Sequence, residues 1–156
     1  MADSPITVRP LNGTASDIKA FIQLPKQLYK ESAQYVPMFD MDMRSLIKKR
    51  HPFFLHSDGE WLLVVQGDQV VGRCLVTENR RYNEFHKTNF AFFDYFDVVN
   101  DQKAADALFA YLADWARSRG FDAVVGPMLS GGANGAGVLV ERFEPQPEIP
   151  MMRYNY

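Results

Sequence analysis

Apolar and polar residues along this chain change their spacing several times, and each change marks an element. Ile6 to Val8 alternates as a short first strand does, and Pro10, Asn12 and Gly13 close it. Ser16 or Asp17 offers a cap for a helix carrying Ile18, Phe21 and Ile22. Pro25 suits a helix start but not an interior, which predicts a break there and a second helical turn through Leu28 and Tyr29. Val36-Pro37 reads as extended. Asp40 to Arg50 predicts another helix, acidic at its start and basic at Lys48, Lys49 and Arg50, as the helix dipole favours. His51-Pro52-Phe53-Phe54 stops it. Trp61 to Val65 and Val70 to Val76 read as strands of a hairpin turning at Gln66-Gly67-Asp68-Gln69. Gly72 inside the second strand marks a bulge or a close backbone approach. Glu78 to Thr88 is polar and reads as a surface loop.

The longest pattern runs from Asn89 to Pro127. Phe90 to Val99 is apolar on both faces, as a strand covered by helices on each side is. Asn100 and Asp101 can cap the helix that follows. Ala105, Leu108, Phe109, Leu112, Trp115, Ala116 and Arg119 share one face of that helix, Gly120 ends it, and Ala123 to Val125 resumes an extended reading. This is a βαβ unit, with a right-handed crossover expected.

Composition narrows the function classes. The chain has 156 residues, 47% hydrophobic and 23% charged, which suits one ordinary globular domain. A net charge of -2 gives no field for nucleic acid. Twelve Phe, seven Tyr and two Trp point to an aromatic core. Cys74 is the only cysteine; it sits in an apolar strand pattern and reads as a small buried hydrophobe rather than a nucleophile. There is no leader pattern at the N-terminus and no apolar run near the roughly 20 residues of a membrane helix. A cytoplasmic protein with no membrane partner is expected, and no metal, since His86, Glu84 and Asp94 have no partner at ligand spacing.

The Gly-rich stretch from Leu129 to Gly137 reads as a turn into a short helix through Phe143 rather than a phosphate nest. The same applies to Lys48, Lys49 and Arg50, which read as solvated helix-end charges. Pro145, Pro147 and Pro150 exclude regular helix, and Met151 to Tyr156 reads as a last strand.

The element order resembles the GNAT acyltransferase superfamily. It is most similar to a family of uncharacterised bacterial GNAT-like proteins whose members are usually much longer. The matching phrases include Leu24-Pro25 with Leu28-Tyr29-Lys30, Tyr35-Val36-Pro37 and Pro52-Phe53-Phe54. They continue through Val71-Gly72-Arg73, Asn83-Glu84-Phe85-His86, Phe92-Phe93-Asp94, Gly126-Pro127, Gly137-Val138-Leu139-Val140, and Met151-Met152 with Tyr154-Asn155. The resemblance implies an α/β fold: a mixed, mostly antiparallel central sheet with helices on both faces. Residues 1–156 would form a single GNAT-like domain, its final strands falling beyond Tyr156.

The resemblance also implies acetyl-CoA as cofactor, lying where the strand before the long helix splays from the strand after it. Phe96, Asp97 and Val98 would then meet the pantetheine arm. Asn100, Gln102, Lys103, Ala104 and Ala105 would meet the pyrophosphate, with Asn134 on the opposite wall. The superfamily signature Arg/Gln-x-x-Gly-x-Gly/Ala falls on Asn100 to Ala105, where only Ala105 fits. Lys103 stands in place of a glycine, and Asp101 sets a negative charge at the helix end, which disfavours a diphosphate by about 1 kcal/mol. Many GNAT enzymes use a tyrosine as general acid, and none lies between Phe121 and Phe143; Ser130 or Asn134 could donate instead.

For the proton of an amine acceptor, Asp94, Glu84 and His86 are the candidates, with Asp94 and His86 as the catalytic choice. Asp94 admits two readings: a buried carboxyl of raised pKa, or a carboxylate paired with a nearby arginine such as Arg73. His86 sits in a polar segment and reads as exposed. Two functions follow: an acyl-CoA-dependent N-acetyltransferase acting on a small amine, or a catalytically inactive GNAT-like module that binds a ligand or partner. An open sheet edge near the C-terminus predicts a homodimer.

Overall fold

A computed structural model describes residues 4–33, 35–128, 137–138 and 140–141. The short helix and last strand expected after the Gly-rich stretch, and the residues Ser130 and Asn134, lie outside the described residues. The elements are β1 (Ile6–Pro10), α1 (Ala15–Leu28), α2 (Asp40–Ile47), β2 (Gly59–Gln66), β3 (Gln69–Glu78), α3 (Arg80–His86), β4 (Phe90–Val98), α4 (Gln102–Ser118) and β5 (Ala123–Val125), with a 3₁₀ turn at Pro52–Leu55.

The five strands follow one another in sheet order, antiparallel from β1 to β4, with β5 parallel to β4 across α4. One face packs Leu62, Val64, Cys74, Val76, Ala91 and Phe93 against Leu108, Leu112 and Trp115 of α4. The other packs Trp61, Leu63, Leu75 and Tyr95 against Ile18, Phe21 and Ile22 of α1 and Met43, Leu46 and Ile47 of α2. The alternation of β2, with Leu62 on one core and Leu63 on the other, is what fills both layers. The expected α/β architecture with helices on both faces is the observed one, and the βαβ unit falls where the pattern placed it. No helix among the described residues is long and apolar enough to cross a membrane.

Four local expectations are corrected. The cap of α1 is Thr14, whose hydroxyl accepts from the Asp17 amide, leaving Asp17 to bind Arg9 at 2.8 Å and the Asn12 amide. Helix α1 does not break at Pro25 but runs on to Leu28; the carbonyl that Pro25 cannot serve finds another donor, described below. The basic end expected for α2 lies outside it, because Lys49 takes a left-handed backbone (φ 54°) and pairs with Asp58. The segment from Glu78 to Thr88 is not all loop. Asn79 caps α3 through its side chain, Lys87 (φ 56°) ends it, and Asn83 ties it to both backbone groups of Phe90. A helix of seven residues with no buried side chain leaves no apolar stripe for a sequence reading to find.

Gly72 meets both of its expectations. The β2–β3 register shifts beside it, and an added Cβ would lie 2.9 Å from Val64 Cγ2 and 3.1 Å from Val98 Cγ2.

Candidate functional site

The site begins with a frame shift in β4. Arg73 of β3 faces Asp97 and Leu75 faces Asp94, so β4 spends three steps where β3 spends two. The extra residue is accommodated at Tyr95, whose φ of 51° is left-handed and costs a non-glycine residue about 1–2 kcal/mol. Before this bulge Ala91 and Phe93 face α4; after it Phe96 and Val98 do, while Tyr95 is turned into the α1–α2 core. Asp94 supports the bulge: its carboxylate accepts from the Tyr95 amide at 2.7 Å.

Beyond the bulge the strand leaves β5. The two strands pair only from Phe90 to Phe92, and the Phe93 carbonyl then accepts from the Met128 amide at 2.9 Å. Gly126 makes this possible, since an added Cβ would meet that same carbonyl at 2.4 Å. On the other edge the Val99 amide donates to Val71 of β3. By the strand's period of two, the backbone of Val98 therefore faces the side where β5 has ended. An open cleft of about 190 Å³ lies there, bounded by β4 from Phe96 onward, the first turn of α4, Tyr29 and Val138. Val138 is brought back by the Gly137 amide, which donates to the Pro127 carbonyl at 2.8 Å.

Beneath the cleft is a buried charged network. Asp97 accepts from Arg73 Nε at 2.7 Å and from the Tyr29 hydroxyl at 2.6 Å. Arg73 also donates to the Phe21 carbonyl at 2.9 Å, and its guanidinium stacks over the Phe21 ring. Residue 25 is the one whose amide would serve that carbonyl in a regular helix, and it is proline. The carboxylate that pairs with Arg73 is thus Asp97. Tyr35 packs on Tyr29 with ring centroids 4.7 Å apart. Burial pushes the Tyr35 hydroxyl up to about 12, with Arg73 opposing and the Asp97 charge adding. Cys74 is fully buried, and burial followed by the Asp94 charge raises its thiol well above the ordinary range, so it is a core residue without thiolate character.

Of the residues the resemblance pointed to, Phe96, Asp97, Val98, Asn100, Gln102 and Ala105 line this cleft together. Ala104 is fully buried against the sheet, and Lys103 is exposed and outside the lining. Helical spacing explains the split: Gln102 and Ala105 lie one turn apart on the same face, while Lys103 and Ala104 point elsewhere. The helix N-terminus is already engaged by the protein. The Asp101 carboxylate accepts from the Lys103 amide at 2.9 Å, and its carbonyl accepts from Ala104 and Ala105. Asp94 is buried and outside the lining. His86 is exposed on α3, which is fixed to the start of β4, roughly 15–20 Å along the strand from Phe96. Asp94 and His86 are not brought together with the cleft residues. Sequence reasoning missed Tyr29 and Val138; the signal for Tyr29 is its place one turn after Pro25, where the disturbed helix end faces β4.

No protein-family model matches the chain. Protein YghO of Escherichia coli (strain K12) is 24% identical over 132 residues, 85% of this chain and 34% of that protein. The bacterial ceramide synthase of Caulobacter vibrioides is 28% identical over 142 residues, 88% of this chain and 36% of that protein. The chain spans about a third of the length of these relatives. Among solved structures, a tandem GNAT protein from the clavulanic acid biosynthesis pathway superposes with a TM-score of 0.60 at 19% identity, covering 82% of this chain and 39% of that one. The ribosomal-protein-alanine N-acetyltransferase of Brucella melitensis biovar Abortus 2308 does so with a TM-score of 0.54 at 19% identity, over 78% of this chain and 79% of its own. The chain has the GNAT fold.

Proposed function

We propose that this chain carries the transfer site of an acyl-CoA-dependent N-acyltransferase acting on an aliphatic amine. The observation that carries the reading is the cleft at the end of β4, opened by the Tyr95 bulge at the point where β5 stops pairing. A thioester arm entering this cleft would lie against Phe96 and Ala105. Gln102 and Asn100, both exposed on the cleft wall, are placed to bind the more polar end. The fit is poorer at the diphosphate, since Asp101 already holds the first amides of α4.

When bound, acyl-CoA supplies an activated thioester carbonyl. The amine nitrogen forms the new C–N bond, the C–S bond breaks, the nitrogen loses a proton and the departing thiolate gains one. Asp97 takes the orienting role in this reading: each of its oxygens keeps a second lone pair after bonding Tyr29 and Arg73, and it lines the cleft, so it can draw in the amine. Asp94, named from the sequence as base, accepts from the Tyr95 amide at the bulge and lies outside the cleft lining. The released proton leaves through the open cleft to water. A ceramide is an amide of a fatty acid with a sphingoid amine, so the likeness to a ceramide synthase supports N-acylation and an acceptor bearing an alkyl chain.

Titration calorimetry with acetyl-CoA and a long-chain acyl-CoA tests donor binding, and release of free thiol on adding sphinganine or a simple alkylamine tests transfer. Saturable donor binding with amine-dependent thiol release is expected, and Asp97→Asn should slow release at least tenfold. A folded chain that binds no acyl-CoA overturns the proposal.

A further inference from the structure

The connection between α1 and α2 carries an unbroken apolar run, Val36-Pro37-Met38-Phe39, followed after Asp40 by Met41. Val36 is 83% exposed, Phe39 79% and Met41 77%, and Leu55 in the turn after α2 is 88% exposed. Single exposed apolar residues are ordinary, but large ones grouped in one connection mark a surface that meets something apolar. Helix α2 buries Met43, Leu46 and Ile47 and turns Met41 and Arg44 outward one turn apart, and Lys48, its C-cap, is exposed just beyond it. Arg50, also exposed, continues the basic line, while Lys49 is taken up by Asp58. Against these stands Asp42; Asp40 is bound by Lys26. The chain as a whole is net negative at -2, so this basic grouping is local.

We propose that the Val36–Met41 connection docks on an anionic lipid bilayer, its apolar side chains entering the headgroup boundary and Arg44, Lys48 and Arg50 meeting lipid phosphates. The dimensions agree: α2 is roughly 12 Å long, so the basic residues at and just past its C-terminus stand about one headgroup layer from the apolar tip. The combination of inserted apolar groups with a basic flank is what a negatively charged leaflet selects, each basic residue near the surface strengthening attachment about fivefold. The sequence-based expectation of no membrane partner rested on the missing spanning segment, and surface docking needs none. The run also starts at the cleft: Tyr35, just before Val36, packs on Tyr29, which lines it. An amphiphilic amine in the leaflet would therefore have a short path to Asp97.

Co-sedimentation of the 156-residue chain with vesicles of equal parts phosphatidylglycerol and phosphatidylcholine, and with phosphatidylcholine alone, tests this. Attachment to the anionic vesicles is expected, weaker on the neutral ones and reduced by added salt. Phe39→Ser with Met41→Ser should weaken it at least tenfold. Arg44→Gln with Lys48→Gln should bring it toward the neutral-vesicle level. Both pairs are exposed, so circular dichroism should show an unchanged fold. No attachment to anionic vesicles overturns the proposal. So does attachment indifferent to Phe39 and Met41, or a patch whose substitution changes only the oligomeric state. The measurement needs no turnover, so its failure leaves the acyl-transfer reading standing, and loss of that reading leaves this one.

Discussion

Arg73 of β3 serves the Phe21 carbonyl that Pro25 leaves without its helical donor, reaching it at 2.9 Å. A proline in a helix interior costs about 3 kcal/mol, partly for that lost bond. A charged donor to the orphaned carbonyl offsets about 1.5–3 kcal/mol of it. The same guanidinium binds Asp97, so the irregular end of α1, the strand beyond the bulge and the Tyr29 hydroxyl are fixed by one side chain.

Arg73→Met should therefore destabilise the fold by about 3–5 kcal/mol, since it leaves the buried Asp97 carboxylate without its cation and the Phe21 carbonyl without its donor. Adding Pro25→Ala to that variant should recover about 1 kcal/mol, because the alanine amide can serve Phe21 again. Urea unfolding of the single and double variants measures both. Equal midpoints for the two would show that Phe21 does not depend on Arg73.

Gly72→Ala should cost about 1–3 kcal/mol, as its methyl meets Val64 and Val98 at or below 3.1 Å in a packed sheet. Val98 lines the cleft, so acyl-CoA affinity should fall as well. Val64→Ala in the same chain makes room on one side and should restore part of the stability. Thermal unfolding that is unchanged by Gly72→Ala would contradict the close approach.

How far these features could be read from the sequence depends on which ones leave a periodic trace. Leu108, Leu112 and Trp115 gave α4 its stripe, and the apolar run of β4 marked a strand covered on both faces. The bulge left none: Tyr95 takes a conformation that favours glycine, and only the register against β3 reveals it. For the same reason Asp94 drew attention as the acid in the apolar strand, while the frame shift makes Asp97 the one that meets Arg73. The continuity of α1 through Pro25 was hidden because its compensating donor lies 52 residues away in sequence. The resemblance named six of the residues that line the cleft, but also Lys103 and Ala104, which lie outside it, and neither Tyr29 nor Val138.

Asp17 gives the fold a defined acid limit. Its carboxyl is held at about 2 against an ordinary 3.8, chiefly by the hydrogen bond from Arg9, with burial opposing and the Asn12 amide assisting. A carboxyl whose folded value is depressed contributes fully above its unfolded value and loses that contribution as the pH falls through the folded one. The loss should therefore run from about pH 5 to about pH 2 and amount to about 1–2 kcal/mol after allowance for the partly exposed Arg9. Urea midpoints across that range should fall less steeply for Asp17→Asn than for the wild type. Parallel slopes would remove Asp17 as the cause.

Asp101 decides how well the N-terminus of α4 can receive a diphosphate. Its carboxylate occupies the Lys103 amide and adds a negative charge where the helix would otherwise attract an anion. Asp101→Ser keeps a capping oxygen for that amide and removes the charge. If the diphosphate of acyl-CoA approaches this helix end, the variant should bind CoA about fivefold more tightly at low salt, a gain of about 1 kcal/mol. The gain should shrink as salt is added, because the helix end is exposed. Pantetheine, which has no diphosphate, should bind wild type and variant alike. Calorimetry with both ligands separates the contributions: a gain for CoA alone places the diphosphate at α4, and an equal response of the two ligands would place it elsewhere.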